Sequence, residues 1–157
     1  FAGPQYLAEA GFATVTPTTP LRLKADVEQE TPNETFRLTG GEPVWQLEVQ
    51  IEGEWRRVFR FDLTERTFED YTAYNDATES DALFRDNLMA ARAEKGRRVT
   101  LFNRELSTYV VGAPPEKREL TSLSELKDAL ATQFGIALPA AERLDPALEK
   151  LFAGTPA

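Results

Sequence analysis

Along VWQLEVQI, Trp45, Leu47, Val49 and Ile51 alternate with polar neighbours. A period of two predicts a strand with one buried face. EGE then turns the chain, and WRRVFRFDL sets Phe59, Phe61 and Leu63 on one face against Val58, Arg60 and Asp62 on the other. The two segments predict a β-hairpin, with Arg60 and Asp62 as a cross-strand surface pair worth under about 1 kcal/mol. Upstream, residues 5–13 alternate loosely and predict a strand ending at Gly11. TVTPTTPLRL carries Pro17 and Pro20, so it reads as an extended loop entering a short strand. TFRLTGG is a further short strand closed by glycines.

The period changes in the middle of the chain. In TESDALFRDNLMAARAEKG, Phe84, Leu88 and Ala91 fall at helical spacing, with Ser80 as the expected N-cap and Gly96 as the stop. RRVTLFN and ELSTYVVG predict a second hairpin, and PPEKREL a turn followed by an edge strand. TSLSELKDALATQFG is the strongest helix signal. Ser122 and Glu125 form a capping box, Leu123, Leu126, Leu130 and Phe134 make a stripe, and Gly135 stands at the C′ position. LDPALEKLF predicts a last short helix with Asp145 as N-cap and Pro146 at its first position. The pattern is α+β: an antiparallel sheet or small barrel, with three helices grouped toward the C-terminal half.

Composition narrows the chemistry. With 41% hydrophobic residues, including ten Phe, the 157 residues can bury a real core. A net charge of −8 disfavours nucleic acid as a partner; the local cluster of Lys95, Arg97 and Arg98 reads as solvated charge on a turn. No apolar run approaches the roughly 18–20 residues of a membrane span, and the first residues lack the basic start of a secretory signal. There is no Cys and no His. That excludes disulfides, thiol catalysis, imidazole catalysis and Cys- or His-ligated metal within these residues, and no carboxylates cluster at ligand spacing, so no metal site is expected. The expected location is the cytoplasm. A chain starting at Phe1 reads as a fragment or processed product. Twenty-six acidic residues guarantee chance pairs such as Glu28 and Glu30, so hydrolysis by paired carboxylates is not favoured.

Eight stretches in order carry a resemblance: YLAEAGFA, PTTPLRL, QETP with FRL, GEWRRVFRFDL, DYTAYN, FRDNLMAARA, GRRVTLFNRELS and RELTSLSELKDALATQFGI. Together they resemble the second half of the bacterial arylamine N-acetyltransferases, over essentially the whole chain. Such enzymes move an acetyl group from acetyl-CoA to an aromatic amine or hydrazine through a cysteine thioester. The resemblance implies a β-barrel domain over residues 1–75 and a C-terminal α/β lid over 76–157. It implies no bound cofactor, with acetyl-CoA as cosubstrate. It also implies an N-terminal half, bearing the Cys and His, as partner.

The family's triad acid is an Asp in a stretch reading Asp-Val-Gly-Phe-Gly; here it reads Glu9-Ala10-Gly11-Phe12-Ala13. In such a triad the carboxylate fixes the imidazole's tautomer and steadies its charge. Glu9 can accept the same hydrogen bond but is one methylene longer, and a misplacement of about 1 Å can cost on the order of 10²-fold in rate. Its other reading is an ordinary carboxylate near a strand end. By the same resemblance Gly11 and Phe12 line the acyl and amine pocket, and Ala13 narrows it where the family has a glycine. Phe84 is a pocket-lining aromatic from the lid, or alternatively plain helix packing with Leu88. Asn75 keeps the Asn of DYTAYN without the aromatic pair that usually follows, and the stretch from Asn75 to Phe84 is shorter than in relatives. Thr78 and Ser80 stand where hydroxyls meet CoA, although Ser80 also suits an N-cap. Two functions follow. One is the C-terminal part of such an acyltransferase, inactive alone. The other is a non-catalytic binding or regulatory module that kept the fold.

Overall fold

Alternation decides the architecture. The computed structural model describes residues 3–9 and 15–153, in two compact units, Phe1–Ala77 with Glu94–Gly96, and Thr78–Ala93 with Arg97–Ala157. In the first, β1 (Tyr6–Leu7) and β2 (Leu21–Arg22) form an antiparallel two-stranded ribbon, extended by the Leu23 N–H donating to the Gln5 carbonyl at 2.8 Å. β3 (Glu28–Glu30), β4 (Thr35–Gly41), β5 (Val44–Ile51) and β6 (Glu54–Phe61) follow one another in a single antiparallel sheet. Phe36 and Leu38 of β4 and Leu47 and Val49 of β5 point inward and are buried with Leu21. The opposite face is polar. There the Arg37 guanidinium meets Glu48 at 2.8 Å and lies 4.1 Å from the Trp55 ring centroid. At Gly40 (φ +81°) a Cβ would lie 2.7 Å from the Val44 carbonyl oxygen, so the β4–β5 connection needs glycine.

The sheets do not close into a barrel, which corrects the barrel expectation. Four strands run in order β3-β4-β5-β6, and the β1–β2 ribbon forms a separate sheet. Filled barrels take roughly five to eight strands, and a three-residue β3 offers little edge to complete one. A register shift between Leu47 and Glu48 changes β6 as well. Val58, expected on the face opposite Phe59, instead packs with Phe59 and Phe61 against the same core, as a bulge permits. Leu63, expected inside, is exposed. Asp62 lies beyond the end of β6 and pairs with Arg66 at 2.8 Å, not with Arg60.

A helix absent from the expected pattern follows, α1 (Phe68–Ser80). Its start is a capping box: the Thr67 hydroxyl accepts from the Asp70 N–H, and the Asp70 carboxylate accepts from the Thr67 N–H at 2.8 Å. It buries no side chain, so no apolar stripe announced it.

In the second unit the expected long middle helix is replaced by a short one and a strand. α2 (Ala82–Asp86) is capped by Asp81, whose carboxylate accepts from the Leu83 N–H. Ser80 is instead the last residue of α1. Met89–Glu94 is strand β7, and Gly96 (φ +75°) sits between it and β8 (Arg97–Phe102). β9 (Glu105–Val110) and the edge strand β10 (Glu116–Glu119) complete a sheet of order β10-β9-β8-β7. One face carries Val99, Leu101 and Leu106, sealed by Leu126, Ala129 and Leu130 of α3 (Leu123–Thr132) and Leu148 of α4 (Ala141–Glu149). Leu88 and Ala90 pack on the same core, a spacing of two that suits a strand.

The α3 reading holds, with one change. Ser122 Oγ accepts from the Glu125 N–H, but Glu125 reaches back to the N–H and hydroxyl of Thr121 rather than to Ser122. Gly135 takes φ +69°, and the Ile136 N–H donates to the Leu130 carbonyl at 3.1 Å, closing the helix end. α4 starts earlier than expected. Pro146 lies inside it, and Asp145 is occupied by Lys127 of α3 at 2.8 Å rather than capping.

Replacing Phe36, 0% exposed, by Ala is expected to destabilise the first unit by about 3–5 kcal/mol. Denaturant unfolding followed by fluorescence of Trp45 and Trp55, both in that unit, measures it. A change below about 1 kcal/mol would show that this cluster does not hold the sheet together.

Candidate functional site

Glu9 stands two residues past β1, whose Leu7 packs on the core beside Leu21. The ribbon is thereby anchored, and the carboxylate it carries is half-buried, with Oε2 sealed from solvent. A carboxylate oxygen removed from water is tolerated where a donor or a cation reaches it. On the return limb Pro17 is buried, as is the Thr18 hydroxyl oxygen. The loop is therefore bedded in protein at its ends. Gly11, Phe12 and Ala13 lie outside the described residues.

The other expected residues ride on α1 and α2. Asn75 and Thr78 are three positions apart on α1, so they share one side of the helix. By the same spacing Phe68, Tyr71 and Tyr74 belong to that side, with exposures of 86%, 60% and 59%. Phe84 is on α2 and 52% exposed. The packing alternative for Phe84 fails, because α2 ends at Asp86 and Leu88 belongs to the core beyond it. Glu9 and Asn75 belong to the first unit, Thr78 and Phe84 to the second.

The charged groups are tied into structure. The Thr64 N–H, then the Thr64 hydroxyl and Arg66, hold Asp62 below the usual carboxylate range. The Thr67 N–H does so for Asp70, hydrogen bonds from Arg85 for Asp86, and the Thr121 N–H for Glu125. Hydrogen bonding to Asp86 raises Arg85, and hydrogen bonding to Glu105 raises Lys117. Arg98, expected to be solvated, is 9% exposed with its guanidinium 4.7 Å from the Tyr109 ring centroid. Arg97 donates to Gln133 at 2.8 Å. A depression of about 540 Å³ beside the β8–β9 turn is lined by Arg104, Glu105, Lys117 and Glu119 among others. Four of its five charged residues pair as Arg104–Glu119 and Lys117–Glu105, and it contains none of the expected site residues. Among the described residues no group of three or more Asp, Glu, His or Cys is placed to hold a metal ion.

A sequence profile described as N-acetyltransferase matches residues 1–143. An arylamine N-acetyltransferase of Escherichia coli K12 is 32% identical over 135 residues, 84% of this chain and 48% of that protein. Arylamine N-acetyltransferase from Salmonella typhimurium superposes with a TM-score of 0.85 at 27% identity, covering 97% of this chain and 57% of that one. The Mycobacterium marinum arylamine N-acetyltransferase solved in complex with CoA superposes at 0.83 with 29% identity, covering 93% and 55%. The chain belongs to the arylamine N-acetyltransferase family. It spans about half the length of the curated relatives it matches. No described helix is long and apolar enough to cross a membrane.

Sequence reasoning missed Asp81 and the Asn87–Asn103 contact. An Asp two residues before Leu83 was the available signal for the first; the second joins positions 16 apart and had no local signal. The depressed pKa values of Asp62, Asp70, Asp86 and Glu125 fix a pH response. Each group sits lower folded than its unfolded value of 3.8 or 4.5. Its contribution is therefore present above that value and lost as the pH falls through the folded one. With no His in the chain, thermal stability should be flat from roughly pH 5.5 to 7 and drop as the pH falls below that window. A scan of Tm against pH checks this; a transition near pH 6.5 would contradict it.

Proposed function

We propose that these residues are the C-terminal part of an arylamine N-acetyltransferase-type enzyme, which passes an acetyl group from acetyl-CoA to a small aromatic amine. The reading is carried by one observation: the family match runs through residues 1–143, yet those residues hold no sulfhydryl and no imidazole. The nucleophile and base then come from a Cys- and His-bearing segment outside the 157 residues. Its thiolate attacks the acetyl carbonyl and expels the CoA thiolate. The amine next attacks the thioester and expels the cysteine thiolate, giving its proton to the imidazole. Glu9 serves as the acid that holds the imidazole. Its sealed Oε2 and its place on an anchored ribbon support that role. In this reading Phe84 lines the acceptor pocket and Thr78 meets CoA, while Gly11, Phe12, Ala13 and Asn75 carry the pocket roles the resemblance implies. Residues 76–157 serve as lid.

The 157-residue chain alone is expected to release no CoA from acetyl-CoA. Assembled with the Cys- and His-bearing half, it should support transfer, and Glu9→Gln should lower kcat by on the order of 10²–10⁴-fold while Glu9→Asp stays active. Steady-state acetylation assays of the chain, the assembly and the two variants decide it. Acetylation by the solitary chain would overturn the reading. The departures at Glu9 and Ala13 favour one alternative, a non-catalytic module. An assembly that binds acetyl-CoA but is unaffected by Glu9→Gln would select it.

A further inference from the structure

α2 poses a mechanical question, since none of its residues is buried. Packing therefore does not fix it, yet it carries Phe84. Its last turn is gripped by side chains instead. Asn87 Nδ2 donates to the Leu83 carbonyl at 3.0 Å, and Asn87 Oδ1 accepts from Asn103 Nδ2 at 2.8 Å. Asn103 also holds the next residue twice. Its Oδ1 accepts from the Leu88 N–H at 2.9 Å, and its own N–H donates to the Leu88 carbonyl at 2.7 Å. Leu88 in turn is seated on the core of the second unit. The chemistry fixes both amides, because only Nδ2 can face Asn87 Oδ1 and only Oδ1 can face the Leu88 N–H.

We infer that Asn103, acting through Asn87, is a positioning residue that sets the place of Phe84 and thereby the acceptor pocket's grip on the aromatic amine. The inference rests on the reading that Phe84 lines that pocket. Asn103 suits two tasks at once. It has φ +53°, a left-handed conformation that Asn tolerates better than most residues, so it makes the turn after β8 while its amide reaches back to α2. Asn103→Gly separates the tasks, keeping the turn and removing the amide. Asn87→Ala cuts the link from the other end and leaves the Leu88 grip intact.

The test uses a fluorinated phenylalanine at position 84 together with amide hydrogen exchange. Asn103→Gly should speed exchange at Leu88 about tenfold, as loss of one hydrogen bond allows, and should shift or narrow the fluorine signal. Asn87→Ala should move the fluorine signal while leaving Leu88 exchange unchanged. In the enzyme assembled with its Cys- and His-bearing half, both variants should raise KM for aniline several-fold. The first half-reaction, CoA release from acetyl-CoA, should keep its rate. If neither variant moves the fluorine signal, the positioning role is overturned. If the signal moves in both and KM for aniline does not, the clamp stands and the placing of Phe84 in the acceptor pocket falls. A variant that merely unfolded would lose the first half-reaction too.

Discussion

Each unit rests on an antiparallel sheet that hides one face only. In the first, Phe36, Leu38, Leu47 and Val49 spend the inward positions of β4 and β5; in the second, Val99, Leu101 and Leu106 do so beneath α3 and α4. The helices α1 and α2 bury nothing, although they carry Phe68, Tyr71, Tyr74, Leu83 and Phe84. These two helices are placed by caps and amide contacts. Such contacts are worth about 1 kcal/mol each, far less than a buried aromatic. The molecule thus divides labour: apolar contacts make the platform, and polar ones aim what stands on it.

That division explains which features were legible in the sequence. Both long hairpins and α3 follow from a simple period joined to turn or cap chemistry, and all three form, the first with a bulge and α3 with an altered cap. Misreadings came where one pattern served two structures. Leu88 and Ala91 fit a helical period, but Leu88 and Ala90 fit a strand, and pairing with β8 settled the matter. α1 escaped because its aromatic residues face outward; only TFED marked its start. Val58 was misplaced by a bulge, which leaves no mark in alternation. The barrel, offered by alternation as one of two options and implied by the resemblance, is not closed; the sheet option stands.

The site was less legible than the fold. Glu9 is an unremarked carboxylate unless the resemblance supplies its role, and its sealed oxygen emerges only from the folded ribbon. Asp81 took the capping place assigned to Ser80 because its side chain reaches the Leu83 N–H.

α1 has a consequence of its own. It runs from the residues of one unit into those of the other, and a helix of 13 residues that buries nothing is marginal in water by itself. Its helicity rests on the Thr67–Asp70 capping box and on backbone hydrogen bonds, with no buried side chain behind them.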